Sequence, residues 1–165
     1  MRRKLKRIKS QNLVIKNFLK IHISKKYINW LNDKEVVKFS SQKKYTHTYE
    51  SCLNYYKKIL KQKCFFLAIF CNKKHIGNIY CKIKSSSSIS IRILIGDKKY
   101  WGRGIGFKVY CLLIDYFFFD LKFLKVYSNT LNKNIGMKKI FKKLQKKYNH
   151  KIHLNNKVLK IIFYK

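Results

Sequence analysis

Three of the chain's six glycines, Gly102, Gly104 and Gly106, fall within the ten residues DKKYWGRGIG (Asp97–Gly106). A backbone without Cβ atoms bends tightly and approaches a ligand closely. Where such a turn opens a helix, its unpaired N–H groups sit at the positive end of the helix dipole. Arg103, Lys98 and Lys99 add full positive charges beside it. The stretch reads either as a plain glycine turn or as a cradle for an anion such as a phosphate group. Two phosphate motifs are excluded by spacing. The third glycine follows the second too closely for G-x-G-x-x-G, and no Lys-Ser/Thr pair makes a P-loop.

A strand must deliver the chain into this turn and a helix must leave it. ISIRILIG before it alternates as a strand, and GFKVYCLLIDYFFFDL behind it has the length and mixed apolar faces of a long, largely buried helix. Upstream, a basic arm (residues 1–12) precedes a strand in LVIKNFLKI (Leu13–Ile21). Ser24 caps a helix through KKYINWLND, and Thr48 caps a second through YESCLNYYKKILK, with Leu53, Tyr56, Ile59 and Leu60 on one face. CFFLAIFC, the turn NKK and HIGNIYCKIK read as an antiparallel hairpin, joined to the next strand by the serine run Ser85–Ser88. KVYSNT is a short strand. NIGMKKIFKKL is a helix with Ile135, Ile140, Phe141 and Leu144 on its apolar side, and the end is a hairpin turning at Asn155 and Asn156. The order predicts one domain over residues 1–165, a mixed α/β sheet without repeats or linkers.

Lys and Arg number 40 against 6 acids, a formal charge of +34 that attracts nucleic acid, anionic membranes or phosphorylated small molecules. The excess is mostly lysine, with abundant Asn, Ile, Phe and Tyr, no proline and a single alanine, Ala68. That profile follows AT-rich coding, and base readout would call for more arginine forks and stacked aromatics, so nucleic acid is the less favoured partner. Cys52, Cys64, Cys71, Cys81 and Cys111 form no CxxC pair and lie in apolar runs. They read as buried thiols in a reducing compartment, with no metal site and no disulfide expected. No apolar run is long enough to span a bilayer, so the expectation is a cytoplasmic chain without membrane insertion.

WGRGIG (Trp101–Gly106) resembles the Gln/Arg-x-x-Gly-x-Gly/Ala motif of the GNAT acyltransferases, with Gly104 and Gly106 matching and Trp101 where Gln or Arg is usual. Downstream, NIGMKKIFKKL resembles the family's N-x-x-S-x-x-x-Y/F-x-K segment, placing Asn134 and Phe141 at cofactor-facing positions. Upstream, YINWLNDKEVVKF with THTYES resembles the branch that acetylates amino sugars in nonulosonate and surface-polysaccharide pathways. The resemblance implies a GNAT fold, with a mostly antiparallel sheet, one splayed strand pair and about four helices. It implies acetyl-CoA as cosubstrate, with the amides of Gly102, Arg103, Gly104, Ile105, Gly106 and Phe107 on the CoA pyrophosphate. Backbone groups around Leu94 and Ile95 would pair with the pantetheine amides and polarise the thioester carbonyl.

Amine attack on a thioester needs a neutral amine, an aligned carbonyl and a leaving group. Glu50, at the start of the second helix, and Asp97, beside the cofactor turn, are the candidate bases, with His47 and His75 as further titrating groups and water as an alternative relay. Each carboxylate also has a structural use, helix-end stabilisation for Glu50 and a turn or ion pair for Asp97. Many relatives protonate the departing sulfur with a tyrosine where this chain has Phe141. Tyr127 on the neighbouring strand is a substitute donor or a packing aromatic. Asn134 either binds cofactor or caps its helix. Gln145-Lys146 replaces the family's usual Gly-Phe, and Phe107 replaces a small or hydroxylated residue. Trp30, Asn32 and Thr48 are the candidate acceptor-cleft residues.

The expected activity is N-acetyl transfer to a small amine, a nucleotide-linked amino sugar. The alternatives are an N-terminal protein acetyltransferase of the ribosomal-protein type and a non-catalytic basic RNA- or ribosome-binding protein on the same fold.

Overall fold

Short polar side chains set the element ends. In the computed structural model, which describes residues 5–165, the Ser24 hydroxyl accepts the Tyr27 amide at 3.2 Å and starts α1 (Lys25–Asn32). Thr48 accepts the Ser51 amide while the Ser51 hydroxyl accepts the Thr48 amide, a reciprocal cap that starts α2 (Tyr49–Leu60). Ahead of these helices lie β1 (Ile8–Ser10) and β2 (Leu13–Asn17). Then come β3 (Cys64–Cys71), β4 (Lys74–Ser85) and β5 (Ser88–Ile95), α3 (Ile105–Asp115), β6 (Lys125–Leu131), α4 (Ile135–Gln145), β7 (His150–Leu154) and β8 (Val158–Tyr164). The strands hydrogen-bond in the order β1-β2-β3-β4-β5-β6-β8-β7. β5 pairs parallel with β6, while β1 with β2, β2 with β3, β6 with β8 and β7 with β8 pair antiparallel.

The chain divides into two compact units. The first holds residues up to Tyr80 and Ile93–Arg103; the second holds Cys81–Arg92 and Gly104–Lys165. In the first, α1 buries Tyr27, Trp30 and Leu31, and α2 buries Cys52 and Ile59, against Phe18, Cys64, Phe66 and Ala68. Burying each large side chain contributes about 1.5–3 kcal/mol, so this layer alone fixes both helices. In the second, α3 buries Val109, Tyr110, Leu113 and Ile114, and α4 buries Phe141 and Leu144. Four cysteines are buried and Cys111 is half-buried, all with free thiols.

Several expectations are corrected. The basic arm is structured from its middle: Ile8–Ser10 pairs with β2 across a turn at Gln11, and the Asn17 amide holds Leu5 through both its backbone N–H and C=O. Residues 1–4 of that arm lie outside the described residues. The first strand ends at Asn17 rather than Ile21, because Lys20–His22 turns into a 3-10 helix. The long helix stops at Asp115 and widens into a π-helical stretch through Tyr116–Asp120. Within this stretch Phe117 and Phe118 are buried while Phe119 is 59% exposed. Leu60 and Ile135, expected on apolar faces, are exposed at helix ends.

Candidate active site

At the end of β5 the amides of Gly96 and Asp97 both donate to the Ile76 carbonyl, at 2.9 and 3.1 Å. Two residues thus oppose one, a bulge that ends regular pairing. Asp97 Oδ1 accepts the Lys99 amide and folds the chain into the turn Lys98–Tyr100. The indole Nε1 of Trp101 then donates to the Ile95 carbonyl at 2.8 Å. Gly102 and Gly104 follow with φ of +73° and +72°, left-handed values that disfavour any side chain, and Gly104 caps α3.

Hydrogen bonding of the backbone resumes only at Lys108, whose amide donates to the Gly104 carbonyl at 3.1 Å. The amides of Gly102 to Phe107 have no acceptor among the described residues. Cβ atoms added at Gly102 or Gly104 would meet nothing within 4 Å, so the space beside these two residues is open. Arg103 and Lys108 are exposed beside it. Gly106 serves packing instead. A Cβ there would press on the Ile140 side chain, so its bareness lets α3 and α4 approach closely.

Within the second unit the parallel partners of β5 and β6 run only from Ser88↔Lys125 to Ser90↔Tyr127. Beyond them a side chain bridges the strands. Ser128 Oγ donates to the Ile91 carbonyl at 3.2 Å, and the Tyr110 hydroxyl donates to Ser128 Oγ at 2.7 Å. Burial pushes the Tyr110 phenol well above its usual range and keeps it a donor. Sequence pattern alone singles out neither residue; the available signal is a serine two residues after the apolar Val126 on the same strand face. Asn134 Oδ1 accepts the Met137 amide and so caps α4, and Phe141 is 2% exposed with its ring 6.2 Å from that of Tyr110. Tyr127, next to Ser128 on the opposite face of β6, is half-buried with the Lys160 ammonium 5.2 Å from its ring.

In the first unit Trp30 is a correction. It is 6% exposed, and its indole occupies the space a Cβ at Gly96 would need. It buttresses the end of β5 and offers no face for a sugar. Asn32 is likewise committed, since its side chain donates to the His47 carbonyl at 2.7 Å and accepts the His47 amide at 2.8 Å. His47 Nε2 lies 3.2 Å from the Gln42 carbonyl and is the donating nitrogen. His75 donates from Nε2 to the Gly77 carbonyl at 3.0 Å and stacks on Phe70. Burial lowers its pKa to about 4, so it is neutral near pH 7.

Burial works to raise the Asp97 carboxyl, but the bonds from Lys26, at 2.7 Å, and the Lys99 amide outweigh it and hold it below the usual carboxylate range. Lys98 bridges Asp33 and Glu35 at 2.8 and 2.9 Å. Lys147 holds Asp115 at 3.5 Å. Among the described residues, Glu50 and Asp120 are the carboxylates outside these ion pairs. Glu50 is exposed in the first turn of α2, beside the exposed Thr48.

A family model described as an acetyltransferase (GNAT) domain matches residues 13–146. The chain belongs to the GNAT acetyltransferase family. As such it is an acetyl-CoA-dependent N-acetyltransferase. Solved GNAT structures share its fold. Spermidine N-acetyltransferase from Vibrio cholerae, in complex with CoA and spermine, aligns with a TM-score of 0.78 at 15% identity over 93% of this chain and 95% of that one. An aminoglycoside acetyltransferase in complex with coenzyme A and kanamycin aligns at 0.75 and 14% over 93% and 95%. A GNAT acetyltransferase from Bacillus anthracis aligns at 0.78 and 14% over 96% and 98%. No curated protein sequence matches this chain.

The acetyltransferase's glycine turn leaves a run of backbone amides without an acceptor among the described residues. These consecutive amides lead into a helix N-terminus, and the exposed Arg103 belongs to the same turn. Trp101 takes the family's Gln/Arg position and anchors the turn to β5 by its own N–H.

Proposed function

We propose that this GNAT acetyltransferase transfers the acetyl group of acetyl-CoA to the amine of an anionic acceptor, a nucleotide-linked amino sugar. The observation that carries the acceptor class is the fate of the acids. Four of the six carboxylates are held by lysines, in a chain of formal charge +34. A polycation such as spermine or kanamycin meets repulsion and little free carboxylate; an acceptor carrying phosphates is drawn in.

The amides of Gly102 to Phe107 and Arg103 hold the CoA pyrophosphate, and the backbone at Leu94 and Ile95 lines the pantetheine arm. Glu50 accepts the amine proton, directly or through water, because it is exposed and outside the lysine pairs. Asp97 is a weaker base, its carboxylate being stabilised by Lys26. Phe141 has no hydroxyl to give the sulfur. A thiol with a pKa near about 8.5 departs tolerably as thiolate, so the missing donor lowers the rate without forbidding the step.

The test is thermal shift with acetyl-CoA, followed by CoA release across amino-sugar nucleotides, spermidine, kanamycin and peptides with free N-termini. Stabilisation by acetyl-CoA with turnover confined to the nucleotide-linked sugars is expected. Preferential turnover of spermidine or kanamycin overturns the acceptor class, and preferential turnover of peptides moves the chain to the N-terminal acetyltransferases.

A further inference from the structure

Asn78, on β4, has a side-chain carbonyl oxygen that is shielded from solvent and has no hydrogen-bond donor among the described residues. Such an oxygen destabilises a fold unless something supplies a donor. Donors on the same strand, and Lys26 on α1, are committed. His75 Nε2 is engaged by the Gly77 carbonyl, the Tyr80 hydroxyl donates to Gln62 Oε1 at 3.1 Å, and Lys26 serves the His75 carbonyl and Asp97.

Its position on the strand is specific. Gly77, the preceding residue, lies so close to the Leu94 carbonyl and the Ile95 Cα that no Cβ fits between them. Asn78 therefore stands at the level of β5 where the thioester carbonyl is to be polarised. It is two residues from Tyr80, so it shares the sheet face that packs against α1 and α2. Glu50 and Thr48 open α2, in the layer over that same face.

We propose that Asn78 is an acceptor-binding, specificity-determining residue whose side-chain oxygen accepts an N–H from the incoming amine. A neutral amide oxygen takes one amine hydrogen without adding charge and fixes the direction of the nitrogen lone pair. The inference rests on the acceptor proposed under the previous heading.

The experiment compares the full chain with Asn78→Leu and Asn78→Asp, using acetyl-CoA thermal shift and CoA release with whichever amine of the panel is turned over. Asn78→Leu is expected to melt no lower than the parent and to keep the acetyl-CoA shift. Its kcat/KM for the amine falls about tenfold or more, since the acceptor loses one buried hydrogen bond. Asn78→Asp keeps an oxygen acceptor and retains more of the rate than Asn78→Leu. Where Asn78→Leu does not fold, Asn78→Ala takes its place. Unchanged amine kcat/KM overturns the inference, and so does a loss of stability or of acetyl-CoA binding in step with the loss of rate. An intact acetyl-CoA shift without turnover of any panel amine overturns it together with the proposed acceptor. A parent that shows no acetyl-CoA shift fails at the cofactor and overturns both.

Discussion

The Trp101 indole N–H and the Ile95 carbonyl are hydrogen-bonded at 2.8 Å, which closes the residues after β5 into a loop before the glycine turn begins. The carbonyl at the end of the strand is thereby occupied from within the chain, and the direction in which the turn leaves is fixed. Trp101→Phe keeps the ring and removes the donor. It should weaken acetyl-CoA binding about fivefold, the equivalent of roughly 1 kcal/mol, with a similar loss of stability. Calorimetric titration and thermal melts of the variant check this; unchanged affinity would dismiss the anchoring role.

Gly104 and Gly106 should separate in their effects. Gly104 has φ +72° with open space around it, so Gly104→Ala strains the backbone by about 1–2 kcal/mol and narrows the cradle. Gly104→Asp adds repulsion and abolishes binding. Gly106→Ala instead pushes on Ile140, costing about 1–3 kcal/mol of packing. Ile140→Val should recover part of the Gly106→Ala loss and none of the Gly104→Ala loss, as a double-mutant cycle in stability would reveal.

Glu50→Gln removes the base and keeps the shape. The variant should bind acetyl-CoA as the parent does while kcat falls by a factor of about 10²–10⁴. Equal turnover by the two proteins would retire Glu50 in favour of a water relay.

His22 and His75 give the fold an acid-sensitive region. Burial lowers the pKa of each to about 4 from 6.5, and their rings lie 5.4 Å apart among Phe18, Tyr27, Phe70 and Trp30. Both are neutral in the fold, whereas in the unfolded chain they take up protons below about pH 6.5. Their contribution is complete above that pH and declines as pH falls toward 4, on the order of 3 kcal/mol for the pair once partial solvent access is allowed. Urea unfolding between pH 7.5 and about 4 should show this slope, and His75→Leu should flatten it. A pH-independent parent in that window would refute the assignment. The Asp97 carboxyl is shifted down, so its contribution is lost only at still lower pH.

Much of this arrangement is written in short-range chemistry. Ser24, Thr48 and Asn134 announce their helices because a side-chain oxygen before an apolar periodic run has few other uses. The turn between β3 and β4 is equally local, with Asn72 and Lys73 both at positive φ. The glycine motif was legible because its spacing lies within six residues, Trp101–Gly106, and two of its glycines take left-handed turn conformations. β1 was not, since its three residues sit in a lysine-rich stretch whose pattern resembles a solvated arm. The residue that Trp30 packs on was not legible either, since Gly96 is far away in sequence. The hydroxyl pair of Tyr110 and Ser128 and the orphaned oxygen of Asn78 depend on distances between elements, which no local pattern encodes.

The lysine-held carboxylates make added salt act on this enzyme with two opposite signs. The formal charge of +34 already counts all six acids, the four lysine-held ones included, so the folded chain carries strong repulsion between its own lysines. Raising ionic strength from about 0.01 M to about 0.1 M shortens the screening length from roughly 30 to 10 Å. That relieves the repulsion, and the melting temperature should rise. The same screening dims the field that draws in the triply phosphorylated cofactor, and its apparent KM should rise as well. Assay conditions that favour the fold are then those that handicap the reaction, and the salt concentration of best turnover lies below that of greatest stability.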